Sequence, residues 1–242
     1  MAVFALIHGG QHGAWCWTFL IQELGNLGHR AVAMNLPISD EAAGAAQYAA
    51  AVVDALRAAD AGDDVIAVGH SLGGLTIPLL PALRPIRRLV FVCAGLPEPG
   101  LRYFDSLAAE GDDVIGPLTR GHLANPAPGV HLTPPDVARA TFYSDISREL
   151  QDWAIPQLRP QSRTPHREIS PLVEWPATPR TVIHATEDRA IPFELARRRA
   201  LRILGERVIS IGGGHSPFLG RPAELARMLA ALARHDDAAA DA

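Results

Sequence analysis

Val65-Ile-Ala-Val-Gly69-His-Ser71-Leu-Gly73-Gly74 is the stretch on which the fold turns. Val65–Val68 is a short run of mainly β-branched residues, and a helical pattern, Leu72–Leu83, starts within the glycines that follow. Between them lies G-x-S-x-G. The bare pattern arises by chance in roughly one chain of this length in ten. Its place at a strand-to-helix junction is what gives it meaning. A serine on so tight a turn would have its flanking side chains driven into the backbone, and Gly69 and Gly73 remove that obstruction. The turn lifts the Ser71 hydroxyl above the edge of a sheet, at a helix N-terminus whose free N–H groups favour developing negative charge. A simpler reading of Ser71 as an N-cap after a turn glycine also exists. His70 would point elsewhere and reads as structural.

Outward from this turn, short apolar runs alternate with helical patterns. Val3–Ile7, Ala31–Met34, Val65–Val68, Leu89–Cys93, Thr181–His184 and Val208–Ile211 are expected strands. Most are apolar on both faces, as a parallel sheet covered on two sides requires. Thr18–Leu27, Glu41–Ala59, Leu72–Leu83, Phe193–Leu204 and Pro222–Ala233 are expected helices. The βαβα order predicts a doubly wound, mostly parallel six-stranded α/β sheet. From about Gly95 to Trp175 no strand is evident. A structureless loop of that length is improbable in a compact domain, so a mainly helical cap over the sheet's C-terminal edge is expected. The predicted division is a core of residues 1–94 and 176–236, a cap of 95–175 and a flexible tail of 237–242.

A serine hydroxyl needs a base. Of ten histidines, His215 follows the last expected strand through Gly212-Gly213-Gly214, a loop able to carry an imidazole over the sheet edge. The acid should lie between nucleophile and base in the chain, after the preceding strand. Asp188, in Glu187-Asp-Arg-Ala-Ile-Pro192, fits; Glu187 is its rival, and a helix-capping aspartate is the plainer alternative. The order Ser71…Asp188…His215 is that of the α/β-hydrolase fold. Acyl transfer also creates an oxyanion that needs two preorganised donors. The N–H of Leu72 supplies one. The other is expected from Gly10, in His8-Gly9-Gly10 after the first strand, where glycines permit close backbone approach. His8 and His12 are taken as loop-structuring residues.

Composition narrows the partners. Net charge is −4 and no dense basic run occurs, so no nucleic-acid partner is expected, and Arg197, Arg198 and Arg199 read as a solvated helix face. No apolar run approaches the ~20 residues of a membrane span, and the short apolar N-terminus does not read as a signal peptide. Two cysteines, Cys16 and Cys93, allow neither a disulfide framework nor a four-ligand zinc site. Free buried thiols and a cytoplasmic location follow as expectations.

His8-Gly-Gly-Gln-His-Gly-Ala-Trp-Cys-Trp17 resembles the signature of the plant methylesterase and hydroxynitrile lyase family and its bacterial relatives. The resemblance continues through Gly69–Gly74, Glu187–Pro192 and Gly214-His215, and into the cap at Phe142-Tyr143…Ser147…Glu149…Leu158-Arg159-Pro160. It implies an acyl-enzyme mechanism, no cofactor, a cap over an apolar pocket and often a homodimer. The family's lyases resemble one another in a Thr after the first His and a Lys after the base. Gly9 and Ser216 stand there, so the cation that would stabilise a departing cyanide is missing. The chain also departs from the family at Asn35, where many members carry Asp, and at Gln11, in place of a small residue beside the oxyanion loop.

The expectation is therefore a serine hydrolase for small, largely apolar carboxylic esters, with Trp15, Tyr143 and Trp153 as candidate substrate contacts that could equally be core. Two other readings stand beside it: a C–C bond hydrolase or cofactor-free lyase using the same triad, and a non-catalytic small-molecule receptor.

Overall fold

A computed structural model describes residues 2–111 and 129–240, the last six of these as backbone only. Parts of the expected cap (112–128) and tail (241–242) therefore lie outside the described residues. The strands in chain order are β1 (Val3–Ile7), β2 (Arg30–Ala33), β3 (Val65–His70), β4 (Arg88–Val92), β5 (Val130–His131), β6 (Gln161–Ser162), β7 (Arg180–Ala185) and β8 (Val208–Ile211). The helices are α1 (Thr18–Asn26), α2 (Ala45–Ala58), α3 (Tyr103–Ala108), α4 (Pro135–Thr141), α5 (Arg148–Ala154), α6 (Thr164–Arg167), α7 (Phe193–Arg199), α8 (Pro217–Gly220) and α9 (Pro222–Ala240).

Six strands form one sheet in the order β2-β1-β3-β4-β7-β8, every pair parallel. Because side chains alternate across a strand, the two-sided apolar runs feed two cores. Phe4, Leu6, Ile66, Val68, Val90 and Val92 pack on one face with Leu20 and Leu24 of α1 and Leu225 and Leu229 of α9. Ala5, Ile7, Val65, Ala67, Leu89 and Phe91 pack on the other with Tyr48, Val52 and Leu56 of α2. The sheet is thus doubly wound. From β1 the chain moves outward to β2, then crosses back to β3, so the crevice beyond the C-terminal ends of β1 and β3 is the topological switch point where such sheets bind ligands.

Three expectations need correction. Leu72–Leu83 is not one helix but two short 3-10 turns, Ser71–Leu75 and Ile77–Ala82. Pro78 and Pro81 lack the N–H groups a continuous α-helix would use. The cap contains strand as well as helix: β5 and β6 pair antiparallel, each only two residues long and so without readable alternation. The last helix runs on to Ala240, through residues expected to be tail, in a run of alanines with high helix propensity.

The arginine cluster also divides. Arg197 and Arg198 are exposed, but Arg199 is 3% exposed. It donates to the Leu96 and Ser106 carbonyls (2.9 and 3.1 Å) and the Ser106 hydroxyl (2.7 Å). With Arg202 it also pairs with Glu98 and Glu110. This ionic network ties α3 of the cap to α7 of the core.

Candidate active site

Ser71 stands at φ +49° directly after β3, a left-handed backbone that a residue with a side chain adopts only under constraint. The constraint is close packing. A Cβ at Gly69 would lie 2.9 Å from the Gly73 carbonyl oxygen, and one at Gly73 would lie 2.6 Å from that of Ile7. Of residues 65–78, Ser71 alone is not buried.

Across the crevice, Gly10 is likewise the one residue of 2–13 that is not buried. A Cβ on Gly9 would lie 2.7 Å from Ser71 Cβ, so only glycine lets the loop pass so near. The Gly9–Gly10 peptide is held from behind. His8 Nδ1 donates to the Gly9 carbonyl (2.8 Å), while His8 Nε2 accepts the Leu36 N–H (3.1 Å), which fixes the tautomer. Burial lowers His8 to a pKa of about 3 and His12 to about 4, so both rings are neutral. His12 Nδ1 donates to the Gly10 carbonyl (2.8 Å), and its Nε2 accepts the Tyr143 hydroxyl (2.9 Å). With both carbonyls engaged by histidines, the Gly10 N–H is left without a partner among the described residues. Leu72, in the first turn after the elbow, has no intrahelical acceptor for its own N–H.

His215 and Asp188 meet. His215 Nδ1 donates to Asp188 Oδ2 (2.8 Å), and the backbone N–H groups of Ala190 and Ile191 donate to Asp188 Oδ1 (2.8 Å each). Burial alone would raise this carboxyl, but neighbouring His215 and His184 outweigh it and hold Asp188 well below the usual carboxylate range. Glu187 is exposed. His215 is tied to the elbow by His70, whose Nε2 donates to the His215 carbonyl (2.9 Å) with ring centroids 4.7 Å apart. Burial, with His215 and His12 nearby, lowers the His70 pKa far below 6.5, so it serves as a neutral strut. No Ser71 Oγ–His215 hydrogen bond is formed here; in unliganded sites this bond is often long and tightens with substrate.

The aromatic candidates lie in the core and at the seam between the expected cap and the core. Tyr143 is 0% exposed in the core with its hydroxyl on His12. Trp15 stacks on His12 and meets Trp153 edge to face, and Trp153 also packs on Phe19, 39% exposed at the seam between cap and core. Size and aromaticity had suggested a pocket; the seam needs the same properties.

Other residues adjoin His215 and the elbow. Phe142 stacks 5.8 Å from the His215 ring. Leu72 joins Ala45 and Leu75 in a separate apolar cluster against which Tyr103 packs, and Ala45, Leu75, Tyr103, Pro97 and Pro165 line a small cleft there. His184 was also missed: its Nε2 donates to the Ile191 carbonyl (2.8 Å) and lies 3.2 Å from Asp188 Oδ2. As one residue in a buried strand it gave no pattern to read. Cys93, His184 and Asp188 have ligand-type atoms within 4.8 Å of one another. Burial raises the Cys93 thiol's pKa well above 9, so it is protonated, and the other two are already joined.

Comparison with known proteins fits this geometry. The model of the alpha/beta hydrolase family matches residues 4–228. "Probable esterase PIR7A" of Oryza sativa subsp. indica is 36% identical over 106 residues, 40% of this chain and 40% of that protein. "Putative methylesterase 11, chloroplastic" of Arabidopsis thaliana is 29% identical over 250 residues, 96% of this chain and 64% of that one. Among solved structures, a pyrethroid hydrolase is 25% identical with a TM-score of 0.80, covering 99% of both chains.

Proposed function

The chain belongs to the alpha/beta hydrolase family, and from that premise we propose that it is a serine carboxylic-ester hydrolase acting on small, largely apolar esters. Ser71 attacks the ester carbonyl while His215 takes its proton, oriented by Asp188, which also stabilises the imidazolium. The N–H groups of Gly10 and Leu72 receive the oxyanion. His215 then protonates the leaving alcohol, and water cleaves the acyl-enzyme by the same route.

The observation that carries this reading is the pairing of openings. On two otherwise buried stretches, after neighbouring strands, the single unburied residues are Ser71 and Gly10, and His215–Asp188 reaches the same crevice. The apolar surroundings of Leu72, together with Phe142 over the base, favour an apolar acyl or alcohol group. Ser216 beside the base supplies no cation, which speaks against cyanohydrin cleavage. Among the described residues no helix is long and apolar enough to cross a membrane. Two free buried cysteines support a cytoplasmic setting.

Ser71→Ala should reduce turnover of short-chain p-nitrophenyl esters by about 10⁴-fold or more with an unchanged circular dichroism spectrum. Retained turnover contradicts the assignment. A wild-type protein inactive on esters but active on β-diketones or cyanohydrins would move the chemistry to C–C cleavage. An intact elbow that never reacts with a fluorophosphonate would indicate a receptor.

A further inference from the structure

Gln11 stands at φ +66°, in the left-handed region, one residue beyond Gly10, and is 4% exposed. Among the described residues its hydrogen bonds all leave the core. Its N–H donates to Gln161 Oε1 (3.3 Å) and its carbonyl accepts the Arg159 N–H (2.7 Å). Its side-chain Oε1 accepts the Thr133 N–H (2.7 Å), and Nε2 donates to Thr133 Oγ1 (2.9 Å). All four polar groups of a strained core residue thus end on the cap. Gln161, itself 0% exposed, is anchored in turn, its Nε2 donating to the Tyr48 hydroxyl (3.1 Å) and the Ser162 carbonyl (2.9 Å).

The consequence falls on Gly10. The Gly10–Gln11 peptide is gripped at both ends, its carbonyl by His12 Nδ1 (2.8 Å) and its N–H by Gln161 Oε1 (3.3 Å). A left-handed residue with a side chain persists only where its surroundings over-determine it. Without the cap contacts Gln11 would relax to negative φ and turn that peptide. Gly10, lacking a Cβ, has no local preference to resist. We propose that Gln11, with Thr133 and Gln161, is a positioning residue that completes the oxyanion geometry of the Gly10 N–H from the side that His8 does not hold, so that full alignment of this donor requires the β5–β6 strands of the cap to be docked. The inference rests on the esterase reading and names the residues that tune its transition state.

The test uses the full chain with a p-nitrophenyl ester and with an alkylboronic acid, whose tetrahedral serine adduct places one oxygen where the oxyanion forms. Gln11→Met removes both side-chain hydrogen bonds at similar volume; Thr133→Val removes one acceptor, and Thr133→Ser restores it. For Gln11→Met, kcat should fall about 10- to 100-fold, a fraction of what losing one oxyanion donor costs. KM should stay within about 3-fold, and boronate affinity should fall in parallel with kcat/KM. Thr133→Val should show the same split at about 3- to 10-fold, with Thr133→Ser near wild type. It is also the fallback should Gln11→Met not fold. Wild-type kcat in a folded Gln11→Met or Thr133→Val, or a fall in kcat with boronate affinity unchanged, overturns the inference alone. A wild-type protein that neither turns over the ester nor binds the boronate overturns the esterase reading and this inference with it.

Discussion

The two halves of the proposed oxyanion site are built by different means. The elbow at residues 69–74 is fixed by the core: β3 enters it, a helical turn leaves it, and at Gly73 the backbone passes where a Cβ would lie 2.6 Å from the Ile7 carbonyl. The loop at residues 8–13 is fixed by side chains, with His8 and His12 on its carbonyls and the cap's Thr133, Arg159 and Gln161 on Gln11. Backbone sterics hold one donor, and a polar network shared with another part of the chain holds the other. The first construction tolerates no change of shape and meets the cap only at its margin, where the Gly95 N–H donates to the Ser71 carbonyl (2.9 Å) and Tyr103 packs on the Leu72 cluster. The second tolerates small changes of shape but depends on every hydrogen bond, because a buried polar group left unpaired costs about 1–3 kcal/mol.

The largest expected effect concerns the base, which both halves serve. Asp188→Asn should lower kcat by about 10⁴-fold through the wrong His215 tautomer, with KM little changed; steady-state kinetics check this, and a loss under about 10-fold would show that the carboxylate does not orient the imidazole. Next comes the elbow. Gly73→Ala must push β1 or the elbow aside, and a shift near 1 Å costs about 10²-fold in kcat. Its loss should be nearly the same whether or not Gln11→Met is also present, since Gly73 and Gln11 share no hydrogen-bond partner among the described residues. Strong coupling between these two variants would break the comparison.

How much of this was legible depends on what carries the information. Strand β1 matches the apolar run Val3–Ile7 residue for residue, because burial on both faces demands apolar side chains, whereas β8, at the edge of the sheet, keeps the expected bounds Val208–Ile211 with Ile209 and Ser210 exposed. Ser71, Asp188 and His215 could be singled out as candidates because each follows a strand in an order that one fold shares. Gln11 was legible only as an oddity beside the oxyanion loop, since its partners lie 122 and 150 residues away. Arg199 reads like its neighbours Arg197 and Arg198, yet the helix turns it alone inward onto Glu98 and Glu110. Trp153 and Tyr143 reveal size and apolarity in sequence, but not the direction they face.

Smaller effects sharpen the same contrast. Arg199→Met leaves Glu98 and Glu110 short of a partner in a network Arg202 still serves, and should lower the unfolding free energy by about 3 kcal/mol while changing kcat less than about 3-fold, because the Arg199 hydrogen bonds and ion pairs reach none of Ser71, Asp188, His215 and the Gly10 loop. Urea unfolding alongside kinetics separates the two. The pH response should come from the loop and the cap together. His8 and His12 in the loop are held at about 3 and 4, and His131 and His166 in the cap at about 4 and 3, chiefly by burial. All four are neutral in the fold but take up protons near 6.5 when unfolded. Stability is therefore full above pH 6.5 and falls as pH drops toward 4, by up to about 1.4 kcal/mol per pH unit for each group. His131→Phe should reduce the slope of the urea midpoint against pH by about one proton's share, and an unchanged slope would remove His131 from the account.

The most direct test of the central claim is covalent. After reaction with an alkyl fluorophosphonate, intact mass and peptide mapping should find a single adduct on Ser71, absent in Ser71→Ala and formed about 10³-fold or more slowly in His215→Ala. An adduct on another residue, no adduct in the folded wild type, or undiminished labelling of Ser71 without His215 would contradict it.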